Sequence, residues 1–222
     1  MKNAMPWWSG AAGLGWLAAL VAQAFLTKLA TVDVASQTAD DFLRAIATHR
    51  VLFTAEVVAG AFSVAFALLT VVTLARALLE DHRDEYLVGA MFAFSGSVIL
   101  LVAFAMYGNL VGTAMEFVKG GLAPSAYIAQ QGDIQGDQFE IIFFVGQLTQ
   151  VLGLAVLGAA LVRRGYLGSL FGFTTIILVA LAPLMYHMPL QFTLAQIAWI
   201  GMLAWQALTG SDAPIVVSEA EA

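Results

Sequence analysis

Six long apolar stretches, parted by gaps that hold nearly every charge, confine this chain to a lipid environment. They cover residues 11–31, 51–75, 87–111, 141–162, 167–185 and 190–208. A helix needs about 20 mostly apolar residues to cross a hydrocarbon core about 30 Å thick, and each stretch meets or approaches that length. Lipid offers the backbone no hydrogen bonds, so only helices and closed barrels span it. Apolar residues here run on continuously and do not alternate with a period of two, which selects the helix. The sequence therefore predicts an all-α, polytopic membrane bundle of six transmembrane helices. The gaps are too short to fold separately, so residues 1–210 read as one domain. Residues 211–222, with Asp212, Glu219 and Glu221, read as a disordered acidic tail.

Composition supports this and removes several function classes. Hydrophobic residues make up 61% of the 222 positions and charged ones 11%, against roughly half and one quarter in soluble domains. The net charge is −6 and the nine basic residues are scattered, which argues against a nucleic-acid partner. There is no cysteine, so disulfides, thiolate nucleophiles and Cys-held metal clusters are excluded. Gly-x-Ser-x-Gly, His-Glu-x-x-His and the phosphate-binding Gly-x-x-x-x-Gly-Lys-Ser/Thr are all missing from the sequence. An enzyme is not the expectation, and no cofactor is expected.

With six spans both termini fall on one side. Arg76, Arg83 and the pair Arg163 and Arg164 lie in short connections on that side, so the positive-inside rule predicts an inner-membrane protein with cytoplasmic termini. Lys2 ahead of an apolar run, with Ala22, Gln23 and Ala24 beyond it, resembles a signal peptide and its cleavage site. Bulky Trp7 and Trp8, and apolar character continuing to Thr31, favour a retained anchor helix. Residues 40–50, after a capping-box-like Thr38 and Asp41, read as an amphipathic segment at the outer interface. Residues 80–85 read as a solvated connector and residues 120–137 as an irregular outer loop.

Function has to be sought in polar residues placed where lipid disfavours them. Ionisable groups at the centre of a spanning helix cost about 2.5 to 3.5 kcal/mol, so each asks for a partner or a purpose. Glu56 is the clearest, lying about 9 Å deeper than Arg50 along the second helix. In the third stretch Asn109, Thr113 and Glu116 share a face by their spacing of four and three. In the fourth, Gln147 follows Glu140 by seven residues on one face, with Gln150 a turn later. Gln191 and Gln196 open the sixth. Arg50, Glu56, Asn109, Thr113, Glu116, Glu140 and Gln147 are thus expected to converge on a polar cavity in the outer half. The polarity is concentrated in the second to fourth helices, and the first, fifth and sixth read as nearly pure packing.

Several readings of this set stand side by side. Glu116, Glu140 and His187 can be ordinary interfacial groups, with Gln147 and Asn109 as interhelical glue. A binding or transport cavity would use Glu56, paired with Arg50, to carry a proton or meet a cationic small-molecule ligand. A haem or metal site would use His49 and His187, both expected at the outer face. An accessory or scaffold role beside other membrane subunits needs only the bundle.

The sequence resembles a family of uncharacterised bacterial six-helix membrane proteins catalogued as a domain of unknown function. The resemblance is carried by the span layout, by Arg50-Val51-Leu52-Phe53 with Glu56 and the basic end at Arg76, and by Arg163-Arg164-Gly165-Tyr166-Leu167-Gly168. It implies the architecture and brings no activity.

Overall fold

A computed structural model describes residues 7–31, 45–46, 48–79, 84–120 and 133–209. Six α-helices account for nearly all of them: α1 (Trp7–Thr31), α2 (Arg50–Leu79), α3 (Asp84–Lys119), α4 (Asp133–Arg163), α5 (Ser169–Leu181) and α6 (Pro189–Thr209). Each helix packs chiefly on its neighbours in the sequence, and α6 packs back on α1, so the six close into a ring. Gly10 faces Ala207 and Leu208, which puts the start of α1 beside the end of α6. This terminal end also holds the Arg76 guanidinium over Trp8 at 5.3 Å and the Arg164 Nε–H donating to the Tyr86 hydroxyl at 3.0 Å. The opposite, distal end carries the last turns of α1 and α3 and the starts of α2, α4 and α6.

Five helices, all but α5, are long and apolar enough to cross a membrane. The protein is a polytopic all-α helical membrane protein, and large apolar side chains such as Phe62, Leu69, Met91, Ile176 and Trp205 cover its outward face. The fifth apolar stretch departs from the sequence expectation. Its α-helix has 13 residues and continues as a 3₁₀ turn over Ala182–Leu184. That makes about 20 Å of α-helix and about 6 Å of 3₁₀ turn, less than the roughly 30 Å of a hydrocarbon core. Pro183 explains the change, because it has no N–H to donate and its ring crowds the preceding turn. Pro189 then opens α6, where a missing N–H costs nothing.

A further expectation meets the structure at the start of α4. Residues 133–137, read as part of an irregular loop, belong to α4. Gly136 lies within this first turn of α4, and one helical glycine costs only about 1 kcal/mol. At the other end α4 stops in a Schellman motif, with Gly165 N–H donating to the Val162 carbonyl and Tyr166 N–H to the Leu161 carbonyl, both 3.0 Å. Gly165 takes φ of 70°, the left-handed conformation this motif requires and glycine adopts freely. Of the connector read at 80–85, Asp84 and Glu85 open α3; its remainder, the amphipathic segment at 40–50, residues 121–132 of the loop and the tail at 211–222 lie wholly or mainly outside the described residues. Of the amphipathic segment, Ile46 is fully buried against Phe53, Val111 and Ala114.

The core follows the ring. Trp199 of α6 is fully buried, edge-on to Trp16 of α1 at 6.4 Å and tilted against Phe171 of α5 at 4.9 Å. Its indole N–H donates to Thr175 Oγ1 at 2.9 Å, so the one polar atom of the largest core side chain is satisfied. Between α3 and α4 the helices meet backbone to backbone. A Cβ at Gly96 would fall on the Gln150 backbone, and one at Gly153 on that of Ala93. Small residues let helices approach closely where dispersion must replace the hydrophobic effect. Across this seam Gln150 Nε2 donates to the buried Ser97 hydroxyl at 2.8 Å.

Candidate functional site

Glu56 lies inward from the distal end of α2 and is 7% exposed. Both carboxyl oxygens accept hydrogen bonds from hydroxyls: Thr27 Oγ1 of α1 donates to Oε1 at 2.7 Å, and the Tyr107 hydroxyl of α3 donates to Oε2 at 3.3 Å. One carboxyl thus joins three helices. Arg50 is not the partner that the sequence suggested; it is exposed. Six residues of α-helix turn the chain through about 600°, which leaves Arg50 about 240° around α2 from Glu56.

Within the ring a partly open cavity of about 370 Å³ lies just inside this glutamate. Glu56 itself does not line it, but its partner Thr27 does, together with Gln23 one turn away on α1. Ser63 and Val64 of α2 line it too, seven and eight positions after Glu56 and so on the same helical face. Gln147 and Gln150 of α4 and Gln196 of α6 add three more amides. The floor is Trp16, which rests on Trp199. Tyr107 connects to the wall through rings: it stacks on Phe139 at 5.4 Å, Phe139 lies 5.7 Å from Phe143, and Phe143 meets Phe104 edge-on at 6.0 Å. Phe104 and Phe143 both line the cavity.

Of the seven residues expected to converge, Glu56 and Gln147 are buried at this place. Thr113 is half-buried and uses its hydroxyl locally, donating to the Asn109 carbonyl at 2.8 Å. Asn109 is exposed, and Glu116 is exposed and paired with Lys119 at 2.7 Å. Glu140 is also exposed, and its backbone carbonyl accepts the Tyr186 hydroxyl at 2.9 Å. Partial burial, and then the charge of Glu140, push the Tyr186 phenol above its ordinary range. His49 and His187 are exposed on the bundle surface. Among the described residues no group of three His, Asp or Glu is placed to hold a metal ion.

The sequence reading passed over Thr27, Gln23, Ser63 and Tyr107. It treated the first and sixth helices as plain packing, yet α1 and α6 supply two walls of the cavity. The signal was present: Gln23 and Thr27 are four apart within an apolar run, the spacing of one helical face. Gln23 had been weighed only as part of a cleavage-site pattern. No family model, curated protein or solved structure matches the chain, so the resemblance to an uncharacterised bacterial family is carried by its quoted residues alone.

Proposed function

We propose that this protein is a proton-linked small-molecule binding or transport protein of the cell inner membrane, with both termini cytoplasmic. Its ligand enters the interior cavity from the distal end, and Glu56 is the group that takes up and releases the proton. One observation carries the reading: a buried carboxyl is held on both oxygens by hydroxyls, and one of these, Thr27, also faces the cavity. Intramembrane carboxyls are costly and mark ion and proton paths. Hydroxyl partners suit such a group, because they donate to a carboxylate and can rotate to accept from a neutral acid. A hydrogen-bonded link from Glu56 through Thr27 to the cavity is what coupling between proton and ligand needs.

The test is uptake of a panel of small organic solutes into proteoliposomes under an imposed pH gradient. Wild-type protein accumulates its solute above the external concentration. Glu56→Gln, which keeps shape and removes the charge, only lets it equilibrate. Gradient-driven accumulation that survives this substitution would sink the reading.

A second reading, an accessory or scaffold subunit, has one observation in its favour. Between α2 and α3 a lateral groove of about 670 Å³ is lined by Val71, Val72, Ala75, Ala90, Met91 and Phe94, with Arg76 at its edge. On that reading Met91→Lys strips a co-purifying membrane subunit in mild detergent, and Glu56→Gln has no effect.

A further inference from the structure

We infer that the cavity takes a small organic monoanion, a carboxylate on an apolar or aromatic body, with the carboxylate toward the distal end between Lys28 and the start of α6. This rests on the cavity being a ligand site and adds the class of ligand.

Charge at the rim comes first. Lys28 is the only charged side chain among the described residues that line the cavity, and it is exposed at the distal end. Across from it α6 begins at Pro189 with no acidic residue in its first turn, and Pro189, Leu190 and Thr193 line the same rim. A helix start carries about half a positive charge in unsatisfied N–H groups, which favours an anion. Glu56 does not line the cavity, so its carboxyl makes no direct contact with a ligand held there. The site therefore selects the opposite sign from the cation that a lone intramembrane carboxylate suggests.

Below the rim the walls turn apolar and aromatic, with Leu20, Val64, Phe104, Phe143 and Phe192 above the Trp16 floor. Two amides interrupt them. Gln147 and Gln196 are 6% and 7% exposed and line the cavity. Unlike Gln150, which is engaged with Ser97, neither has a hydrogen-bond partner among the described residues. Their amide atoms are open to the cavity, where water or a ligand can satisfy them. Each amide offers a donor and an acceptor, so a polar substituent on the ligand body finds a partner there. Cavities of this size hold metabolite-sized molecules, with a few polar groups fixing orientation within apolar walls.

The experiment is a thermal shift on the purified full chain in detergent, using probes of similar shape and different charge. Phenylacetate, phenylacetamide and phenethylamine make the series, and isovalerate replaces the ring by a branched chain. The inference expects the carboxylates to raise Tm by several degrees, the amide by less than half as much, and the amine not at all. Lys28→Gln, a change at an exposed position, brings phenylacetate down to the level of the amide, whereas Glu56→Gln leaves the order of the series intact. Stabilisation by the amine equal to that by the acid overturns the inferred charge and leaves the cavity standing as a ligand site. If no probe shifts Tm while gradient-driven uptake of another solute persists, the ligand class is wrong. Silence in both assays removes the ligand site itself.

Discussion

The α3–α4 side of the ring and the α1–α6 side solve the same packing problem in opposite ways. At the α3–α4 seam Gly96 and Gly153 set backbone against backbone, and the Gln150 amide is tied to Ser97. Toward the distal end of the other side, α1 and α6 face the interior with Gln23, Thr27 and Gln196, which line a cavity they share with α2, α3 and α4. The difference teaches where this bundle is rigid and where it has room. Dispersion between close backbones holds one side. The other is held at its base by the Trp16 and Trp199 rings and is unfilled above them.

Substitutions on the two sides should therefore diverge. The largest effect is expected from Gly153→Leu, whose side chain has no space against the Ala93 backbone. Overpacking a filled core typically costs about 1 to 3 kcal/mol and more where backbone must move, so monodisperse protein is expected to vanish from size-exclusion profiles. Recovery of normal yield would mean that the seam is looser than described. Next comes Trp199→Ala, which removes a fully buried indole from the base of the open side, with a loss of about 3 to 5 kcal/mol. Thermal unfolding followed by the fluorescence of the remaining tryptophans measures it.

The last two substitutions remove glutamines one from each side, and opposite signs are expected. Gln150→Leu removes the donor to Ser97 Oγ, while the Ser97 hydroxyl keeps its own bond to the Ala93 carbonyl at 2.8 Å. Interhelical hydrogen bonds in membrane bundles average about 0.6 kcal/mol and reach about 1.7, so a small fall in Tm is expected. Gln196→Leu takes away an amide that has no protein partner. Its amide atoms are open to the cavity, so its removal strands no partner, and Tm should hold or rise slightly. Equal losses from both glutamines would erase the distinction between the two sides.

The helices were legible because lipid imposes a length and a hydropathy that residues 51–75 or 87–111 display without any tertiary information. The fifth stretch was apolar enough to mislead, since hydropathy does not register the turn that Pro183 imposes. Glu56 was legible as a costly residue, but its partners were not. Thr27 and Tyr107 lie 29 and 51 positions away, and only the folded ring brings them together. Asn109 and Tyr107 are two residues apart, which is about 200° around a helix. The more polar of the pair drew attention while the aromatic one faced the glutamate. A count of polar residues locates a region, and the face each occupies decides the site.

The contact between α6 and α1 sets an order of assembly. Phe192, Thr193 and Gln196 belong to α6, so the cavity wall is incomplete until that helix docks on α1. Until then Gln23 and Thr27 have no opposite wall, and the membrane must host a polar strip facing an unfinished ring. A nascent chain stalled before residue 189 would offer that strip to lipid or to whatever assists insertion, and the cavity would take shape only once α6 had followed.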